Sequence, residues 1–428
     1  MGKRRLMLAT SIARLCGPRL HYAWIALAVT FVVMMGSVGV RSAPGVIIIP
    51  LQQAFGWDVA TISGAISLNL LLLGLVGPFV AGLMEVIGLK RAMLSCLAVL
   101  LMGTTLANFI AEPWQLFMTW GVMVGIGVSA GAMGMAAAVA NRWFTERRSL
   151  AMGMLMAANA AGQLIFLPVL GGLAETHGWR SVSMTVTVVV AALFPLVALL
   201  LPDAPASVGL SPYGGTPDSV LRKAPGNPFL VTLQGLLRGA RSVDFWLIAI
   251  VFAICGFSTA GLVATHFVTY CVDHGLSQGT SASLLGSLGV ASLVGSILSG
   301  WITDRYNPRL ILFAIFTLRG VSLIILPYTA FDITSLTIFA LFNGIEWVAT
   351  VPPIVKLLNE NFGRRDAPIL VAWIYAMHQV GSAAAALGAG LLRDFTGTYV
   401  LAFVSTGVAC LLASWLVMRI PRAQPVAA

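Results

Sequence analysis

The sequence predicts an all-α membrane protein of twelve transmembrane helices arranged as two pseudo-symmetric six-helix bundles. Three observations predict it: apolar runs long enough to cross a bilayer, positive charge confined to alternate connections, and an internal repeat at about half the chain length.

The apolar runs come first. Of 428 residues, 58% are hydrophobic and 9% charged, and the mean hydropathy is +0.93. A soluble domain carries about 25% charged residues. A chain this apolar would leave a greasy surface in water, whereas a bilayer accepts it. Each span needs about 20 apolar residues. Helices are expected at 22–50, 59–83, 92–110, 114–140, 149–172 and 180–201, then at 242–270, 279–302, 309–327, 333–357, 367–391 and 398–420. Between the two sets lies a polar stretch rich in Pro, Gly and Ser. The expected organisation is a bundle over 1–201, a linker over 202–241 and a second bundle over 242–428. The first apolar run is too long for a signal-peptide core and is expected to remain as the first helix.

Charge fixes the orientation. Of the 25 Lys and Arg, 21 fall before the first helix, in alternate loops or after the last helix, among them Lys90 and Arg91, Arg142, Arg147 and Arg148, Arg305 and Arg309, and Lys356, Arg364 and Arg365. The positive-inside rule then places both termini and the linker in the cytoplasm and makes the helix count even. The expected location is a bacterial inner membrane, with the lipid bilayer as the surrounding partner. The net charge of +10 is not that of a nucleic-acid binder, because no basic run or aromatic-interleaved basic stripe occurs. With five scattered cysteines, none in a C-x-x-C pair, no disulfide or metal framework and no cofactor is expected. With no Walker A sequence, ATP drive is not expected either.

The repeat is carried by short turns. Ala81-Gly82-Leu83-Met84-Glu85-Val86-Ile87-Gly88-Leu89-Lys90-Arg91 follows the second helix, and Gly300-Trp301-Ile302-Thr303-Asp304-Arg305-Tyr306-Asn307-Pro308-Arg309 follows the eighth. Glu85 and Asp304 are 219 positions apart (304 minus 85), and the Arg147-Arg148 and Arg364-Arg365 pairs are 217 apart (364 minus 147). Such a period marks duplicated bundles.

These turns resemble the signature G-x-L-x-D-R-x-G-R-[RK] of the major facilitator superfamily. The second copy matches at Gly300, Asp304 and Arg305; the first keeps Gly88 and Lys90, with Glu85 for aspartate. The resemblance implies a gating role for Glu85, Lys90, Arg91, Asp304, Arg305 and Arg309: a carboxylate in a tight turn meets basic side chains and helix N-termini when that side is shut. The plainer reading makes Glu85 and Asp304 solvated loop acids. Phe55-Gly56-Trp57, Asn141-Arg142-Trp143-Phe144 and Gly178-Trp179-Arg180 resemble the monocarboxylate and oxalate/formate branch. The departures are an eighth helix without the branch's arginine, an eleventh without a lysine, and His21-Tyr22-Ala23-Trp24 where the branch has an acidic, glycine-rich opening.

Ionisable side chains inside apolar spans cost about 3 kcal/mol each on insertion scales, so each is a candidate for function. Arg41, between Gly39 and Pro44-Gly45, is the first choice for gripping an anion through two parallel hydrogen bonds; the alternative puts it near the outer end of its helix, meeting water or Asp58. Glu346 is a candidate proton carrier, or else one half of a structural ion pair with Arg319. His378 and Gln379 are candidates for substrate contact, and His378 also for proton coupling. Asn159 and Gln163, one helical turn apart, and Asn69 either line the path or tie helices together.

The expectation is therefore a secondary transporter for a small organic anion, working by alternating access and linked to protons or exchange, acting as a monomer and not an enzyme. Efflux of an amphipathic neutral or cationic compound is the alternative within transport, and a membrane receptor is the alternative outside it. No H-E-x-x-H or G-x-S-x-G pattern supports an intramembrane enzyme.

Overall fold

The computed structural model describes residues 21–131, 133–215 and 227–421. Ten helices among the described residues are long and apolar enough to cross a membrane. They are α1 (Tyr22–Phe55), α2 (Val59–Ile87), α3 (Leu89–Leu106), the run Arg148–Leu200, α7 (Val243–Asp273), α8 (Gln278–Arg305), α9 (Pro308–Ile325), α10 (Ile333–Phe362), α11 (Ile369–Thr396) and α12 (Val400–Arg419). Two more spans complete twelve. The 53-residue run Arg148–Leu200 doubles back at Gly178, whose φ of 74° is open to glycine without steric cost. It therefore forms α5 (148–177) and α6 (179–200). The two lie side by side on α1: Gly162 of α5 packs on Val38, and Val189 and Leu193 of α6 pack on Gly36.

The remaining span, α4, runs over 113–143 as a broken helix. A wide π segment, Phe117–Val124, is followed by a tight 3-10 turn, Val128–Gly131, and then by Met133–Trp143. The sequence predicts one uninterrupted helix here. Its glycines explain the difference. Gly121 and Gly125 sit on α2 beside Leu68 and Asn69, and Gly127 sits on Leu100 of α3. The chain follows those contacts at the expense of regular pitch.

Helix ends follow their capping residues. Asp58, Ser277 and Asp332 accept backbone N–H bonds at the starts of α2, α8 and α10. The segment joining the halves carries a short helix, Pro228–Gly239, begun by Asn227. Its Thr232 carbonyl accepts the Trp373 indole N–H at 3.0 Å, which seats it against the start of α11. Met184 and Val188 on α6, Leu310 and Leu318 on α9, and Leu412 and Trp415 on α12 are exposed. Large apolar side chains on peripheral helices belong against lipid.

The halves meet along three seams. α1 crosses α7 at Gly45, where a Cβ would lie 2.5 Å from the Ala264 carbonyl oxygen, and the Gln278 amide donates to the Val46 carbonyl nearby. α2 lies along α11, where the Ser67 hydroxyl donates to the Ala383 carbonyl at 2.7 Å. α5 lies along α8, where Gly286 and Gly289 receive Gln163. The α1–α7 crossing lies towards the face away from the termini, called here the far face.

Candidate functional site

Arg41 sits just below the α1–α7 crossing. Val38 is three residues before it and Gly45 four after, so all three share one face of α1. Val38 touches α5 and Gly45 touches α7, so that face looks into the seam between the halves. Arg41 is half-buried, and among the described residues it makes no hydrogen bond or ion pair. A guanidinium has five donors and no acceptor. Leaving them unfilled inside an apolar bundle is costly unless water or a ligand takes them.

The amides divide. Asn69 is buried and donates to the Trp120 carbonyl at 2.6 Å, tying α2 to the π segment of α4, whose widened turns leave carbonyls able to accept it. Asn159 is half-buried and, among the described residues, bonds only within its own helix, to the Met156 carbonyl at 3.3 Å. Gln163 lies against the glycines of α8. Thus Asn159 and Gln163 share the α5 face turned to the other half, whereas the Asn69 amide is spent on a helix contact.

The second half holds a buried polar cluster. Arg319 on α9 is 1% exposed and Glu346 on α10 is 5% exposed. Arg319 Nε reaches Glu346 Oε2 at 3.3 Å, and one terminal nitrogen donates to the Glu346 backbone carbonyl at 2.6 Å. The other terminal nitrogen donates to Cys255 Sγ at 3.2 Å and Ser258 Oγ at 3.4 Å, both on α7. Cys255 also meets Thr350 Oγ1 at 3.3 Å. Glu346 Oε1 has no partner among the described residues. A buried charge is tolerated only when paired and hydrogen-bonded, and every nitrogen of this guanidinium is.

His378 approaches the cluster from α11. Its ring stacks on Tyr375 with centroids 5.7 Å apart, packs on Phe252 at 4.8 Å, and is an electrostatic neighbour of Cys255. Nδ1 lies 3.0 Å from Gln379 Oε1, and Gln379 itself is buried against Gly74 of α2. A polar series therefore runs Glu346, Arg319, Cys255, His378, from α10 and α9 through α7 to α11. Sequence reading missed Cys255, Ser258 and Thr350: in an apolar span a thiol or small hydroxyl gives no signal of its own. His266 is outside this series; it bonds the Tyr399 hydroxyl at 3.1 Å and the Ala386 carbonyl at 2.8 Å.

The turn motifs lie at the face that carries the termini. The side chains of Glu85, Arg148, Arg364 and Arg365 lie outside the described residues, as do Lys3, Arg4, Arg5, Arg14, Arg19, Cys16, Arg222, Lys223 and Arg422. Asp304 and Arg91 are exposed. The Arg305 guanidinium covers the Trp301 ring at 4.1 Å. Arg309 is buried and donates to the Ile420 carbonyl at 2.7 Å, closing the end of α12. The Lys90 backbone N–H donates to Asp203 at 2.8 Å. In the same way Arg142 donates to the Met84 carbonyl at 3.4 Å, and Lys356 to the Thr303 carbonyl at 2.6 Å, so cations cover the last carbonyls of α2 and α8.

Two six-helix halves meeting around polar side chains within their spans have the architecture of a polytopic transporter. Known proteins agree. The profile of the Major Facilitator Superfamily matches residues 26–351 and 273–428, and the chain belongs to that family. An uncharacterised MFS-type transporter, YcxA of Bacillus subtilis, is 24% identical over 389 residues, covering 88% of this chain and 90% of that protein. Monocarboxylate transporter 13 of Rattus norvegicus is 25% identical over 403 residues, covering 94% and 89%. Monocarboxylate transporter 12-B of Danio rerio is 25% identical over 435 residues, covering 93% and 87%. The crystal structure of a bacterial homologue of the human lysosomal transporter Spinster, inward-facing and unoccupied, superposes with a TM-score of 0.72 at 15% identity, covering 93% of this chain and 95% of that one.

Proposed function

We propose that this chain is a secondary transporter for a small organic anion, a monocarboxylate above all. It would act as a monomer in a bacterial inner membrane, with both termini on the cytoplasmic side. One observation carries the reading: Arg41 presents an uncommitted guanidinium on the α1 face that looks into the seam. A carboxylate there would gain two parallel charge-assisted bonds. Asn159 and Gln163 stand on the opposing helix face and would complete its contacts. The printed names of the relatives in rat and zebrafish support the substrate class. Glu346 and His378 would carry the coupled proton, because Glu346 keeps one oxygen without a partner and His378 joins its cluster to the seam.

The test is uptake of labelled mono- and dicarboxylates into proteoliposomes, with and without an imposed pH gradient, beside Arg41→Gln. Gradient-stimulated uptake that falls at least about tenfold in the variant is expected, given one lost charge-assisted contact. Full uptake by Arg41→Gln removes Arg41 from the site. The second reading, efflux of a neutral or cationic amphipath, is favoured by α8, whose seam face offers Gly286 and Gly289 and no charge. Transport of such compounds with no carboxylate uptake would select it.

A further inference from the structure

The seams hold two carboxylate contacts that the transport site does not use. At the far face, Asp394 Oδ2, near the end of α11, accepts the Ala60 N–H at 2.7 Å. Glu175 Oε2, near the end of α5, accepts the Gly279 N–H at 2.8 Å. Each carboxylate belongs to one half and each N–H to the other. Ala60 and Gly279 are both second residues of their helices, α2 and α8. In both helices the preceding cap, Asp58 or Ser277, bonds the threonine that follows, Thr61 or Thr280. All four positions are related by 219 residues: 58 to 277, 60 to 279, 61 to 280, and 175 to 394.

The close packing below them obeys the same register. Four residues before each carboxylate stands a glycine, Gly171 or Gly390. A Cβ at Gly390 would lie 2.7 Å from Ser63 Oγ and 3.2 Å from the Val59 carbonyl; a Cβ at Gly171 would meet Ala282 and lie 3.3 Å from the Gln278 carbonyl. Ser63 and Ala282, and Val59 and Gln278, are again 219 apart. The glycine lets the helices touch, and the acid one turn later reaches the partner's N-terminus, where the helix dipole and unpaired N–H groups favour an anion.

We infer that Glu175 and Asp394 are a matched pair of latches that hold the far face of the two halves shut, so that they set the balance between the two access states. The inference rests on alternating access by this fold and not on the identity of the substrate. No other half-to-half contact at that face uses a carboxylate among the described residues.

The test is labelling in intact cells. Ser63 is fully buried in the seam and its hydroxyl has no partner, so Ser63→Cys adds a reporter with little disturbance. The native Cys96, Cys255, Cys271 and Cys410 are buried, and Cys16, which lies outside the described residues, is replaced by Ser in every background. A membrane-impermeant maleimide should label Ser63→Cys slowly. Adding Glu175→Gln or Asp394→Asn removes charge but keeps an acceptor, and should give a modest acceleration. The double Glu175→Ala/Asp394→Ala change should accelerate labelling on the order of tenfold, as two exposed helix-terminus contacts are lost together. A second reporter, Glu112→Cys in an exposed turn at the same face, should label equally fast in every background and so certifies folding and insertion. Labelling of Ser63→Cys at the parent rate in the double variant, with Glu112→Cys unchanged, overturns the inference. Labelling needs no substrate, so failure of the anion reading leaves this result intact.

Discussion

The two halves each place an arginine within the bundle and treat it in opposite ways. Arg319 gives every guanidinium nitrogen an acceptor and is sealed from solvent, whereas Arg41 is half-buried with its donors uncommitted. The same side chain is thus a fastener in one half and an open hand in the other. Burial alone does not mark a binding residue; the unfilled donor set does.

Removing the fastener should have the largest effect. Glu346→Ala strands a buried guanidinium and should cost about 3–5 kcal/mol in thermal or denaturant unfolding of the purified protein, whereas Arg41→Gln should stay within about 0.5 kcal/mol. Replacing both partners, Arg319→Met with Glu346→Met, should recover most of that loss, since no isolated charge remains. Equal destabilisation by Glu346→Ala and Arg41→Gln would end the contrast. A smaller effect belongs to the first half's own fastener. Asn69→Ala removes the tie from α2 to α4 and should cost about 1 kcal/mol, with uptake little changed. A large loss of uptake at unchanged stability would move Asn69 into the transport site.

The smallest effect concerns His21, at the mouth of α1. Desolvation holds its imidazole below the ordinary histidine range, opposed in part by a hydrogen bond with the Ser211 backbone. The unfolded chain then binds the proton more readily than the folded one. The contribution of His21 is therefore full above about pH 6.5 and declines as pH falls through that value towards the folded pKa. Melting temperatures of wild type and His21→Ala should converge on acidification across this window, and parallel curves would argue against it.

The order of helices was readable because a bilayer demands long apolar runs, and the Arg319–Glu346 pair because a charge in such a run stands out. The break in α4 was not readable, since glycines that seat a neighbouring backbone look the same as glycines that merely weaken a helix. The ends of α5 and α11 were set short. Against expected ends at 172 and 391, α5 continues to 177 and α11 to 396, which carries Glu175 to α8 and Asp394 to α2. Glu175 and Asp394 read as loop acids until the 219-residue register is laid over contacts between the halves. Cys255 left no trace, because a thiol among Ile, Gly and Phe is just another small apolar residue.

The turn at Gly178 joins α5 to α6 through one left-handed residue, with no slack between them. Glu175 stands only three residues before it, and at the other end of α6 the Leu200 carbonyl holds the Tyr22 hydroxyl at 2.9 Å. Across 179–200 this helix is a strut about 33 Å long at 1.5 Å per residue. Any tug on Glu175 at one face of the membrane therefore arrives, undamped by a loop, at the root of α1 on the other.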